Sequence, residues 1–309
     1  MFEGFESFDL PGEAGVTIHG IAGGEGPPLL LLHGNPQTHA MWHRVAPVLA
    51  EEYRVVACDL RGYGRSSKPP SESDHASYSK RVMAADMVRV MEALGHTRFL
   101  VGAHDRGARV AHRLGMDWPE RVVRMALLDI APTREMYRET GFAFARDYWH
   151  WFFMIQPAPL PELMMSADPD AFWKWKCGAP PKDLSIFAPE AREDYLAAFR
   201  DPETVRATCE DYRAAATIDI EHDNADGAKK LGCPLLVLWG ENGAIERHFD
   251  CLALWRERAE DVRGHTLPGG HYLAEEVPEA TAVALRAFFA EGEAAPPPPE
   301  EGDQRAGWT

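Results

Sequence analysis

The sequence predicts an α/β protein whose mostly parallel sheet is covered by helices on both faces and interrupted by a helical insertion. Three observations carry this reading. Short, continuous apolar runs alternate with helix-patterned segments over the first 132 residues, and such runs suit strands buried on both faces. Between about Thr133 and Asp226 the alternation gives way to aromatic, proline and charged residues of helical texture. It resumes with CPLLVLWG at 233–240.

The strand candidates run in order. PPLLLLHG (27–34), YRVVACDLRG (53–62), TRFLVGAHD (97–105) and VVRMALLDIAP (122–132) precede the insertion, and RGHTLPGGH (263–271) is a weaker last strand. Helical patterns lie in MWHRVAPVLAEE and in YSKRVMAADMVRVMEALG, where Gly95 suits the C-terminal cap. PEATAVALRAFFAEG closes the fold as a helix. The expected organisation is a core of residues 1–132 and 227–290, a helical cap of 133–226, and an acidic, proline-rich tail of 291–309 too polar to order itself. The cap belongs above the carboxyl ends of the strands, where open parallel sheets place ligands.

Bulk composition narrows the function. The chain has 309 residues, 45% of them hydrophobic, enough for one α/β domain with an insertion or for two ordinary domains. Its formal charge of −16 disfavours nucleic-acid and anionic-membrane partners. Five scattered cysteines without a C-x-x-C pair suit thiols in a reducing compartment better than disulfides or zinc. The amino terminus lacks the order of a signal peptide, and no apolar run approaches the length of a membrane span. A soluble, cytoplasmic protein is expected.

The chemistry centres on Ala103-His104-Asp105-Arg106-Gly107, at the join of a strand and a helix. An Asp there can simply cap the helix, accepting a bond from an otherwise unpaired amide. Ala103 and Gly107 nevertheless give the small-x-nucleophile-x-small spacing of a nucleophile elbow, a turn sharp enough to demand small neighbours. Asp129 ends the next strand, and His271 sits in a Gly-Gly-His turn after the last one. No G-x-S-x-G occurs, which disfavours a serine esterase or lipase.

Together HGNPQTHAMWHRVAP, DLRGYGRSSKP, GAHDRGARVAHR, LLDIAPT and LPGGHYL resemble the α/β-hydrolase superfamily, over about residues 15–290. Within it the chain resembles the branch with an aspartate nucleophile, comprising haloalkane dehalogenases, epoxide hydrolases and haloacetate dehalogenases. The H-D-R-G-x-R form and YWHWFFMIQPAPLPE look most like fluoroacetate dehalogenases. The resemblance implies an α/β-hydrolase fold with a helical cap, no cofactor or metal, and a homodimer.

It also implies roles. Asp105 would displace halide from an sp³ carbon, and His271 would activate the water that cleaves the resulting ester. Asp129 would orient His271, with Glu241 in LWGENG as a rival acid. The backbone amides of Asn35 and Arg106 would form the oxyanion hole. Asn35 departs from the aromatic residue common at this position in haloacetate dehalogenases and is similar to the halide-holding Asn of haloalkane dehalogenases. Its side-chain role is left open.

Arg106 and Arg109 lie three apart at a helix start, where cations oppose the helix dipole. Either they are solvated surface residues, or they grip a substrate carboxylate through arginine's paired donors. Arg113 is expected to be structural and His104 to support the turn. In the cap, His150, Trp151 and Tyr212 align with a halide-binding trio and carry the right N–H and O–H donors; the bland alternative is that they are cap core. The expected substrate is therefore a small anionic haloacid. An epoxide hydrolase sharing Asp105, Asp129 and His271, a haloalkane dehalogenase, and a non-catalytic binding protein on this fold are the competing readings.

Overall fold

The computed structural model describes residues 1–178 and 184–291. The tail expected to be disordered, from residue 292 on, lies outside the described residues. Eight strands form one sheet: β1 (Phe5–Pro11), β2 (Thr17–Gly23), β3 (Pro28–Leu32), β4 (Arg54–Cys58), β5 (Phe99–His104), β6 (Val122–Leu128), β7 (Leu235–Gly240) and β8 (Val262–Leu267). Their spatial order is β1-β2-β4-β3-β5-β6-β7-β8. Every pair from β4 to β8 is parallel, while β1–β2 and β2–β4 are antiparallel. Leu29–Leu32, Val55–Cys58 and Leu235–Leu238 are buried throughout, as expected of strands covered on both faces.

The sequence reading missed β1 and β2. β1 is a half-exposed edge strand mixing Phe5, Phe8 and Leu10 with Glu6, Ser7 and Asp9, and β2 is buried but broken by His19 and Gly20, so neither has the apolar run that marked the others. The helix expected over MWHRVAPVLAEE shrinks to a 3₁₀ turn at His39–Trp42 and one α turn, α1 (Ala46–Leu49). Pro47 suits the first turn of a helix, and the chain turns back into β4 within a few residues.

Helices α2 (Lys80–Ala93) and α3 (Asp105–Asp117) follow β4 and β5. Ser79 caps α2, and Gly95, at φ +85°, lies just beyond its end. Between β6 and β7 the described chain is helical: α4 (Thr133–Arg138), α5 (Phe142–Asp147), α6 (Trp149–Met154), α7 (Leu160–Ala167), α8 (Pro169–Gly178), α9 (Pro189–Phe199), α10 (Pro202–Ala216) and α11 (Ile218–Ala225). The core is completed by α12 (Ala244–His248), α13 (Cys251–Arg258), α14 (Leu273–Glu276) and α15 (Pro278–Phe289). Among the described residues no helix is long and apolar enough to cross a membrane.

Candidate active site

Asp105 is the first residue of α3 and follows β5 without a loop. It holds φ +42°, a left-handed conformation that costs a non-glycine residue about 1–2 kcal/mol. The tightness is visible at the neighbours. A Cβ on Gly34 would stand 2.6 Å from the Asp105 Cβ, and one on Gly107 2.4 Å from the His33 carbonyl oxygen. The side chain does not act as a helix cap. Its Oδ2 instead accepts the Asn35 backbone N–H at 3.0 Å. His33 braces that loop, taking the Leu60 N–H at Nε2 and lying 2.9 Å from the Gly34 carbonyl through Nδ1.

Burial alone would disfavour an ionised Asp105. His271, His104, Arg109 and Arg106 outweigh it and hold the carboxyl below the usual carboxylate range. His104 has its own pKa pushed down to about 3, first by burial and then by His271. It is therefore neutral at ordinary pH. His104 Nε2 lies 2.8 Å from the His271 carbonyl oxygen, so it ties the elbow to the histidine turn.

His271 Nδ1 lies 2.6 Å from Asp129 Oδ2. Asp129 is wholly buried, sits just beyond β6 at φ +49°, and has its other oxygen held by the Gly240 N–H at 3.0 Å. Glu241, the rival acid, is exposed, and its backbone N–H donates to the Leu267 carbonyl. Asp105 and His271 line one cavity of about 580 Å³, together with Tyr148, His150, Lys176, Tyr272 and Arg247.

Both arginines are buried, against the surface alternative. Their roles divide. Arg106 spends its fork on a cap residue: Nε and Nη2 donate to the two oxygens of Asp211 at 2.8 Å each, and Nη2 also donates to the Asp211 carbonyl. The paired-oxygen grip expected for substrate is thus made with Asp211, leaving Nη1 without a partner among the described residues. Arg109 donates to Thr133 Oγ1 at 2.7 Å and packs over the Trp151 ring at 4.7 Å. It has no ion pair among the described residues, and burial followed by repulsion from Arg106 lowers its pKa. The Asp105 carboxylate opposes that shift without forming an ion pair, and a buried guanidinium so placed favours the arrival of a further anion.

Trp151 and Tyr212 are buried against these arginines, with Arg106 stacked over the Tyr212 ring at 4.1 Å. Their ring centroids are 6.4 Å apart, and His150 lies 6.3 Å from Tyr212. The Tyr212 O–H donates to Asn35 Oδ1 at 3.4 Å. Four buried nitrogen donors in this web lack an acceptor among the described residues: Asn35 Nδ2, Arg106 Nη1, Arg109 Nε and Trp151 Nε1. The cavity lining includes His150 but not Arg106, Arg109, Trp151 or Tyr212. Arg113 is structural in its contacts, pairing with Asp117, Asp223 and Asp226.

Sequence reasoning missed Asp211, which is adjacent to Tyr212 in CEDYRAA but separated from Arg106 by 105 positions. It also missed Tyr148 and Lys176 in the lining. One group of metal-ligand type occurs among the described residues, with ligand atoms of His19, His39 and Asp59 within 4.8 Å of one another. Hydrogen bonds already account for Asp59: Oδ1 takes the His39 backbone N–H and faces its Nδ1, and Oδ2 takes the Arg65 N–H. None of the three lines the cavity.

A tight Asp105 turn after β5, an Asp after β6 and a histidine after β8 sit where an α/β hydrolase carries its site, and the sequence profile of the alpha/beta hydrolase fold matches residues 27–278. The chain belongs to that family. It is 47% identical to the fluoroacetate dehalogenase of Burkholderia sp. over 94% of this chain and 96% of the relative. Identity to the soluble epoxide hydrolase of Corynebacterium sp. (strain C12) is 30%, over 89% and 94%. A crystal structure from Nostoc sp. PCC 7120, assigned to the α/β hydrolases, superposes with TM-score 0.91 at 54% identity, covering 94% of this chain and all of the other.

Proposed function

We propose that the protein hydrolyses haloacetates, taking fluoroacetate or chloroacetate to glycolate and halide through an ester on Asp105. The observation that carries this reading is the set of unmatched donors around Asp105: Asn35 Nδ2, Arg106 Nη1, Arg109 Nε and Trp151 Nε1. Buried donors are rarely left unpaired, and a small acid with a carboxylate at one end and a halogen at the other would satisfy all four. The 47% identity to the Burkholderia fluoroacetate dehalogenase supports the same class.

In this mechanism Arg109 and Arg106 Nη1 hold the substrate carboxylate, and an Asp105 oxygen attacks the carbon bearing the halogen. The carbon–halogen pair leaves as halide toward Trp151 Nε1, His150 and the Tyr212 hydroxyl, with Asn35 Nδ2 as a further donor. His271 then takes a proton from water, whose oxygen adds to the Asp105 carboxyl carbon. The oxyanion is met by the backbone amides of Asn35 and Arg106. Collapse expels glycolate, whose leaving oxygen recovers the proton from His271, and the second water proton passes from the Asp105 carboxyl to solvent, restoring a carboxylate with one oxygen from water. Asp129 keeps the histidine in the required tautomer and stabilises its charged form. The residues use no metal or cofactor in these steps.

The division into a core of 1–132 and 227–290 and a cap of 133–226 fits this scheme, since the cap supplies the halide donors. Leu160, Leu163 and Met164 leave an apolar face exposed on α7, which supports assembly as a homodimer. The buried thiols Cys58, Cys209 and Cys251 suit a cytoplasmic location. Fluoride and glycolate release from fluoroacetate tests the function. Release that disappears in Arg109→Leu is expected; turnover of styrene oxide or 1-chlorobutane without any of haloacetate would move the protein to the epoxide hydrolases or haloalkane dehalogenases.

A further inference from the structure

We infer that Asp211, a cap residue on α10, is a positioning residue that sets the substrate carboxylate site by fixing Arg106 across the cap–core boundary. The inference rests on the haloacetate reading, in which Arg106 Nη1 meets the substrate. Arg106 and Asp211 are both wholly buried, and three of the five guanidinium N–H groups are committed to Asp211. That leaves the two on Nη1 as the donors not already bound. A flexible arginine is thereby converted into a fixed N–H source, whose ordering cost is met at folding rather than at binding.

The rest of the cluster shows that Asp211 is held as firmly as it holds. Tyr63 O–H donates to its Oδ2 at 2.6 Å, and Lys80 Nζ donates to its Oδ1. Lys80 is shared with Asp219 of α11 at 3.1 Å. Arg106 and Lys80 are thus balanced by Asp211 and Asp219, all four side chains being nearly or fully buried. The balance leaves Arg109 without an ion pair of its own among the described residues, facing only the Asp105 carboxylate. Arg109 supplies the charge that attracts an anion, while Arg106, locked by Asp211, supplies direction. Burial opposes ionisation of Asp211, but Arg106 and Lys80 hold its carboxyl below the usual range, so the lock persists across working pH.

Asp211→Asn keeps the size but replaces one acceptor oxygen with an amide donor facing Arg106. The expected result is a rise of at least about tenfold in KM for chloroacetate and in the inhibition constant of acetate, with kcat reduced less than about threefold. Inhibition by bromide, which probes the halide end alone, should stay within about twofold. If Asp211→Asn does not fold, Asp211→Glu, which keeps the charge and shifts its position, should show the same acetate-specific loss. Equal weakening of acetate and bromide, or acetate inhibition unchanged in the folded variant, overturns the inference. Arg106→Leu separates the two claims: loss of acetate inhibition there but not at Asp211 leaves the clamp standing, whereas no loss at Arg106 removes the clamp itself.

Discussion

His271 and Asp129 meet at 2.6 Å between Nδ1 and Oδ2, although 142 positions separate them. The contact closes because β6 and β7 are parallel neighbours and β8 follows at the edge, so the loops after all three open on the same side. Gly240 N–H fixes the second Asp129 oxygen, leaving the acid a single orientation.

Asp129→Asn should therefore fold, keep the alkylation step and lose ester hydrolysis. The Asn amide can satisfy Gly240 only by turning its NH₂ toward His271, which enforces the wrong tautomer. We expect kcat to fall by about 10²–10⁴, with an Asp105 ester accumulating in the mass spectrum. Glu241→Gln should stay near wild type. The opposite ranking of the two variants would reassign the acid.

Much of this site was legible before folding was considered. Asp105 stood out because a strand pattern ran into a helix pattern with Ala103 and Gly107 on either side, and the fold realises that demand as a Cβ clash at Gly107. Parallel strands announced themselves by continuous apolar runs, whereas β1, lying on the sheet edge with one face in water, had no such signature. Ion pairing was the illegible part. Nothing local ties Arg106 to Asp211 or Lys80 to Asp219, because those contacts exist only once α10 and α11 pack on α2 and α3.

Glu275 was equally opaque in sequence, as an ordinary acid in LAEEVP. It is buried on α14, four residues after His271, and accepts the Tyr195 O–H of α9 at 2.5 Å, with Gln37 Nε2 at 3.4 Å. Burial, only partly offset by Tyr195 and Arg44, pushes its pKa up to about 7 from an ordinary 4.5. Between those values the unfolded chain is ionised while the folded chain keeps its proton, so stability falls as pH rises through the window. Glu275→Gln should abolish that fall, giving a gain over wild type of about 1–3 kcal/mol at pH 8 that vanishes by pH 4.5. Denaturant unfolding at several pH values measures it. Parallel curves for both proteins would remove Glu275 as the titrating group.

At the halide end, fluoride needs more help to leave than chloride. Tyr212→Phe removes one hydroxyl donor while keeping the ring under Arg106. Defluorination should fall by about 10²-fold and dechlorination by much less, as read by halide release from the two substrates under single-turnover conditions. Equal losses would place the phenol outside the halide site.

The most direct test of the central claim traps the ester. His271→Asn, incubated with chloroacetate and analysed by intact mass and peptide mapping, should gain one carboxymethyl group on Asp105. The adduct should persist, because the base for its hydrolysis is gone. A folded variant that gains no mass while the wild type releases halide, or one that carries the group on another residue, contradicts the account.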